Sequence, residues 1–420
     1  MFVGHQPFEN ILKIKAEQIL LFLLPALFLS LKGWVNGISI IVAIFCTYAV
    51  FSNWEKYFTN RDRLFWFLLL CITIPFFGEL FAQIGRSSII FPSLDGPSRT
   101  LLAGIIFVYF SRKSLINCDA AIGWGAVTGI ASVLVSVVFF KEAYWSYRMA
   151  TYFVDPITLP CYLTALLGLV VFSNLSSHSR VLDVLVKLAC VIAVLYVCIG
   201  SSSRSSWVAL LVLAELSILL NFKGQTRIKF IAHIFLMICV LLVYFSFDAV
   251  NWRINTIFTE VRAFIDGDAN TSIGHRLGLV LLDLHLIWSN PLFGVADSAL
   301  PTLEAFKESH PTLPKELYEI KMLSGSHNEI LGQLVTRGIV FGGLSVLSLF
   351  LVPIYFLIRE LRNNTRLNMR LSKMSLGFII PIFFAGMTIQ VFNLKMTITF
   401  YSLFLAFLYA QIIREKKTVV

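Results

Sequence analysis

Residues 181–222 read VLDVLVKLACVIAVLYVCIGSSSRSSWVALLVLAELSILLNF. Two apolar runs, 181–199 and 206–222, flank a short polar hairpin of serines around Arg204. Each run approaches the roughly 20 residues that a helix needs to cross a hydrocarbon core. Comparable stretches recur at 16–32, 35–52, 64–83, 100–111, 120–140, 157–173, 229–247, 339–359, 374–392 and 396–413, giving about twelve predicted spans. With 57% apolar and 14% charged residues in 420, and a mean hydropathy of +0.80, the chain carries more apolar surface than a soluble globule could hide. The expected fold class is an all-α polytopic membrane protein of about twelve transmembrane helices, with one long outer loop that contains an amphipathic helix.

This divides the chain into spans one to nine (1–247), the outer loop with the start of helix ten (248–338), and the last three spans with a tail (339–420). Met1–Gln18 shows no small-residue cleavage signature, so the first apolar stretch is expected to be retained. Basic residues gather at Lys13/Lys15, Lys56/Arg61/Arg63, Arg112/Lys113, Lys223/Arg227/Lys229, Arg359/Arg362/Arg366/Arg370/Lys373 and Arg414/Lys416/Lys417. These are alternate connections plus both tails, which predicts cytoplasmic termini and puts the loop Asp248–Ser326 on the opposite side. The net charge of +10 is therefore a topology signal, and no nucleic-acid partner is expected. All seven cysteines lie in or beside apolar spans and none in the loop, which suggests neither a disulfide framework nor a CxxC metal site.

Seven cations stand where the positive-inside bias does not explain them: Arg86, Arg99, Lys141, Arg148, Arg204, Arg276 and Arg337. Arg204 has two readings, a snorkelling interface residue or part of a phosphate site with the serine hydroxyls and backbone donors. Arg276 opens a stretch in which Ile273, Leu277, Val280, Leu281, Leu284 and Trp288 share one helical face, ended by Asn290-Pro291. Such a helix would lie on the membrane surface and hold its arginine at headgroup height. Arg148, ahead of Asp155-Pro156, occupies a third loop on that side, and convergence of these arginines would make a strong anion site.

Ser326-His327-Asn328-Glu329 fits a capping box, with Ser326 as N-cap and His327 as the first helical residue. There the helix dipole would disfavour an added proton and leave the imidazole able to accept one, and the exposed N–H groups would welcome an anion. The competing reading is a structural histidine. Asp266-Gly267-Asp268 reads as a turn or as a pair of Mg²⁺ ligands, the turn being favoured. His275, His285 and His310 form no HxxxH pair, so no zinc site, and no metal or other cofactor, is expected.

In this order the motifs resemble the bacterial O-antigen ligase family, within the wider group of O-antigen polymerases and O-linked oligosaccharyltransferases. The resemblance rests on Ser203-Arg204-Ser205 before a span, Gly274-His275-Arg276-Leu277 leading to Asn290-Pro291-Leu292-Phe293-Gly294, and Ser326-His327-Asn328-Glu329 opening the next span. It covers roughly 195–350, and the span layout extends it to the whole chain. Gly294-Val295-Ala296 departs from the Gly-x-Gly turn of many relatives. The resemblance implies a multi-pass protein of the bacterial inner membrane, with its long loop and active site facing the periplasm. It implies glycan transfer from undecaprenyl diphosphate to a sugar hydroxyl of lipid A-core, without a metal. It implies His327 as the catalytic base and Arg204, Arg276 and Arg148 as diphosphate ligands, with Arg86, Arg99, Asn328 and Glu329 as secondary candidates. With no carboxylate pair suited to a covalent intermediate, inversion is the expected stereochemistry.

Two alternatives stay open. An O-antigen polymerase would use the same donor with a lipid-linked acceptor, whereas a transporter of the lipid-linked sugar would perform no chemistry. Transporters often show internal repeats or broken helices, and neither is visible in the sequence. A protein-glycosylating relative is disfavoured because only about seven residues follow the last predicted span.

Overall fold

The computed structural model describes residues 8–59, 61–113, 118–140, 148–176, 179–222, 224–295, 308, 317, 320–321, 325–362, 366–392 and 394–419; of 8–16, 249, 366–368 and 415–419 it describes the backbone alone. Among these residues all regular structure is helical: α1 (Phe8–Leu27), α2 (Trp34–Ser52), α3 (Trp54–Phe58), α4 (Arg63–Gly85), α5 (Phe91–Phe110), α6 (Cys118–Phe139), α7 (Thr158–Phe172), α8 (Arg180–Ser201), α9 (Arg204–Asn221), α10 (Thr226–Ser246), α11 (Asp248–Ile265), α12 (Ser272–Ser289), α13 (Glu329–Glu360, with a π-helical turn at Leu347–Leu351), α14 (Arg366–Gly386) and α15 (Lys395–Val419). Side-chain caps fix several starts by satisfying an otherwise orphan N–H. Asp62 accepts from Phe65 N at 3.0 Å, Thr271 from Gly274 N at 3.0 Å, and Asn328 from Leu331 N at 3.0 Å.

Nine of the described helices are long and apolar enough to cross a membrane, against the expectation of about twelve. The other three predicted spans fall on α1, α5 and α7. Only Glu17–Leu27 of α1 is a continuous apolar run, α7 stops at Phe172, and α5 carries Asp95 and Arg99 in its first half. Two boundaries also move. The last-but-one span ends at Gly386 rather than 392, followed by a turn, and α13 begins at Glu329 rather than 339. The outer loop holds two helices among its described residues, α11 as well as the expected α12.

The protein is arranged inside out relative to a soluble fold. Phe230, Phe235 and Val181 are 67, 67 and 69% exposed, a pattern that water would punish and lipid does not. Helix α10 buries no residue, whereas α7 is buried on every face. Its contact with α14 is a backbone crossing in which a Cβ at Gly168 would fall 1.9 Å from the carbonyl oxygen of Gly377. Likewise Gly125 and Gly129 of α6 abut the carbonyls of Phe22 and Pro25 on α1. Small residues substitute here for a hydrophobic driving force that lipid cannot supply, by letting helices approach closely.

At one end, Arg61 donates to Ser111 Oγ at 2.8 Å, Arg112 to the Thr59 carbonyl at 2.7 Å, and Arg414 to the Arg112 carbonyl at 3.2 Å. The opposite end gathers the C-termini of α4, α8 and α14 with the N-termini of α5, α7, α9, α13 and α15, and the candidate site lies there. Gly168→Ala is expected to lower thermal stability in detergent by about 1–3 kcal/mol, the usual overpacking cost, because backbone, not a flexible side chain, blocks the new methyl. An unchanged unfolding midpoint would contradict the tight crossing.

Candidate active site

The serine hairpin turns on Ser202, whose φ of 51° places it in the left-handed region as the C-cap of α8. Arg204 then becomes the first residue of α9. Its guanidinium grips both oxygens of Glu260 on α11, at 3.1 and 3.2 Å, and Thr256 Oγ1 at 2.9 Å. Glu260 also accepts from the backbone N–H of Ile273 at 3.1 Å. One carboxylate therefore fastens α9, α11 and the start of α12 together, and such a bidentate pair holds the arginine in one orientation.

Arg148 reaches the same hairpin from the other side, its Nε donating to the Ser201 carbonyl at 2.7 Å while Met149 N donates to the Gly200 carbonyl at 3.1 Å. Arg276, on α12, makes no hydrogen bond or ion pair among the described residues. Burial, and then the charges of Arg204 and Arg253, push its pKa below the usual arginine value. Arg148 is lowered by burial and by Arg253 and Arg276, with Asp155 opposing. The three expected arginines thus feel one another, together with a fourth, Arg253, whose guanidinium lies 5.0 Å from the Trp252 ring centroid. Against the local carboxylates Asp155 and Glu260, positive charge is in excess, and Arg276 feels Glu260 without forming an ion pair with it.

His327 sits on a left-handed turn, with φ of 48°, following Gly325 at φ of 72°. The capping-box expectation fails by two residues: Asn328, not Ser326, is the N-cap, and His327 precedes the helix instead of opening it. The reason is that Ser326 Oγ is already taken. Lys321 Nζ donates to it at 2.6 Å and also pairs with Asp283 of α12. Burial pushes the Asp283 carboxyl up while Lys321 pulls it down. His327 itself is held below its ordinary value of 6.5 by burial, then by Arg276, Lys321 and His275, against an opposing effect of Asp155. The imidazole is therefore neutral at neutral pH, through burial and neighbouring cations rather than through a helix dipole.

The secondary candidates do structural work. Asn328 Nδ2 donates to the Met387 carbonyl at 2.9 Å, and Glu329 accepts from Gln333 Nε2 at 2.6 Å and Phe392 N at 3.1 Å. Arg86 binds the carbonyls of Phe293 and Thr336, and Arg99 pairs with Asp95 at 2.8 Å; neither joins the arginine cluster. Arg337 forms a buried ion pair with Glu79 at 2.8 Å. Lys141 and His310 lie outside the described residues. Asp266-Gly267-Asp268 is a turn, with Gly267 at φ of 94° and Asp268 N bonded to the Ala263 carbonyl at 2.8 Å. Among the described residues no group of three His, Cys, Asp or Glu could hold a metal.

Sequence reasoning missed α11, and with it Glu260 and Arg253, and missed the Lys321–Asp283 pair. Only the alternation of Val250, Ile254, Ile257 and Val261 with polar residues signals α11. Beneath the cluster an apolar groove of about 400 Å³ runs between α8, α9 and α10, lined by Leu195, Trp207, Leu210, Val240, Val243 and Ile254. Trp207 is one turn from Arg204, and Ile254 adjoins Arg253, so the groove ends at the cations.

A family model described as O-antigen ligase matches residues 188–347. No curated protein matches the chain. The matched segment runs from the middle of α8 through the serine hairpin, α11, α12 and the His327 turn into α13, so it holds Arg204, Arg253, Glu260, Arg276 and His327. Over this segment the chain is similar to the O-antigen ligase family.

Proposed function

We propose that this protein is an O-antigen ligase that transfers a glycan from undecaprenyl diphosphate to a sugar hydroxyl of lipid A-core at the periplasmic face of the bacterial inner membrane. The observation that carries this reading is an excess of arginines around Arg276, which has no ion pair of its own among the described residues, beside a histidine, His327, that feels its charge. The apolar groove suits the polyprenyl tail, and the cations at its end suit the diphosphate.

In the reaction, His327 takes the proton of the acceptor hydroxyl as its oxygen attacks the anomeric carbon. The anomeric C–O bond to the diphosphate breaks, its electron pair stays on the leaving phosphate oxygen, and configuration inverts. Arg276 and Arg148 receive that growing charge in a dry, preorganised site where a fixed cation is worth more than in water. Arg204, oriented by Glu260, completes the positive field. The arginines supply the charge neutralisation that a divalent cation supplies elsewhere.

One observation favours a transport reading: α13 is broken at Gly338, whose φ of 73° and ψ of 174° are not helical. The break is filled, with Val295 N donating to the Val335 carbonyl and Ile339 N to the Pro291 carbonyl, each at 2.7 Å. A docked segment of this kind supports a fixed scaffold rather than a gate. Cell-free transfer with purified protein, lipid-linked donor and rough lipopolysaccharide separates the two, because transport makes no glycosidic bond. Rescue of the O-antigen ladder in ligase-deficient but not polymerase-deficient cells is the expected result, and the reverse would move the acceptor to a lipid-linked glycan.

His327→Ala is expected to lower transfer by about 100-fold or more, the scale of a lost general base, with membrane insertion intact; full activity would remove the assignment. Because the folded protein depresses the pKa of His327, the base form persists as pH falls through the ordinary value. The acidic limb of the rate profile should therefore lie below pH 6.5, and a limb above it would contradict the environment described. Arg276→Ala and Arg204→Ala should weaken donor use by about 10–100-fold, the range for lost charged hydrogen bonds, and Arg→Lys by less, since charge is kept but the fork is lost. Wild-type rates in all four variants would exclude the clamp.

A further inference from the structure

A polar cavity, of about 260 Å³, lies at the same end of the molecule but outside the arginine cluster, between α4, α5, α13 and the turn that follows α14. Its charged lining is balanced, Arg86 and Arg337 against Glu79 and Glu329, so it offers no net attraction to a phosphate. Amides and hydroxyls of Gln333, Gln390, Thr336 and Ser93 complete the polar side, and Ile90, Pro97, Phe392 and Ile398 form apolar wall. Arg337 is 95% buried by its 5% exposure, and its Nε and Nη1 are bonded to Glu79 and Gln333.

The cavity also touches the machinery described above. Glu329 is two residues from His327, and Gln390, which lines the cavity, packs so closely on the His327 turn that a Cβ at Gly325 would meet its Oε1 at 2.0 Å. Amides and hydroxyls on one side, balanced charge and one apolar wall match a neutral polyol, which presents hydroxyls at its edge and C–H groups on its face. The volume falls just under the usual small-molecule range of about 300–1,000 Å³, which suits one ring and not an oligosaccharide.

We propose that this chamber between α4, α5 and α13 holds a single sugar ring of one of the two glycan substrates beside His327. The proposal rests on the ligase reading. The ring could belong to the acceptor or to the donor, and the test distinguishes them. Gly96 on α5 lines the chamber, and a Cβ built there meets nothing within 4 Å. Gly96→Leu therefore fills the space without striking backbone, and replacing a helix-interior glycine favours the helix. Gly96→Ala is the smaller step, kept in case the larger side chain impairs folding.

Steady-state transfer would be measured with purified full-length protein, undecaprenyl-diphosphate-linked glycan and rough lipopolysaccharide, each varied in turn. The expected result is a KM raised about tenfold for one substrate and unchanged for the other, with Gly96→Ala intermediate; tenfold is the low end for losing buried hydrogen bonds. A raised acceptor KM assigns the chamber to the acceptor sugar, and a raised donor KM to the donor. Wild-type KM values for both substrates in Gly96→Leu would overturn the chamber alone, and an equal rise in both would mark general distortion and overturn it too. An inactive wild-type protein under conditions that support its glycan donor would overturn the ligase reading, and the chamber with it.

Discussion

The site end of the molecule depends on one buried chain of hydrogen bonds. Ile90 N donates to Gln83, Gln83 to Glu79, Arg337 to Glu79 and to Gln333, Gln333 to Glu329, and Phe392 N to the other oxygen of Glu329. All five side chains are at most 8% exposed. The chain joins the end of α4 and the α4–α5 turn, the first three turns of α13 and the segment after α14, three pieces far apart in sequence. Removing one partner from a buried pair leaves the other charge stranded, at a cost of about 3–5 kcal/mol. The arrangement therefore holds only as a whole, and the first turn of α13, from which the His327 turn hangs, is placed by it.

Charge is handled in two opposite ways within that end. Around Glu79 and Arg337 every charge has a counter-charge, and the result is rigidity. Around Arg276 the cations outnumber the carboxylates, and the result is a standing positive potential held in check by burial. An unpaired buried charge costs several kcal/mol, a cost that a bound anion would relieve. Glu260 shows how the two regimes meet: it pins Arg204 through both oxygens and offsets Arg276 only at a distance.

Much of this was legible in the sequence, and the failures have physical causes. The apolar runs found the spanning helices because lipid imposes a length and a composition on each one. Arg148, Arg204, Arg276 and His327 stood out as polar residues beside those runs, and all four lie in one electrostatic neighbourhood. Helix α11 was hidden because it is neither apolar enough to span nor bounded by a side-chain cap; Phe247 precedes it. The cap of α13 was misplaced because Ser326 and Asn328 are both good capping residues, and the choice is made by Lys321, which engages Ser326 from elsewhere in the loop. Arg86 and Arg337 stood out as cations that topology did not explain, because a sequence does not show Glu79 and the Phe293 carbonyl beside them. What the sequence withholds is which partner a polar side chain finds, and tertiary structure alone decides that.

The break in α13 has a consequence for inheritance. Because the strand of chain at 291–295 is stitched into the gap at Gly338 from both sides, and a Cβ on either Gly294 or Gly338 would collide with the other's backbone neighbours at 2.6 Å or less, the two glycines form a lock and key made of main chain. Neither can drift to another residue while its counterpart stays. Helix α12, which carries Arg276, and the span that follows His327 are thus joined main chain to main chain, and a side chain at either glycine would part them.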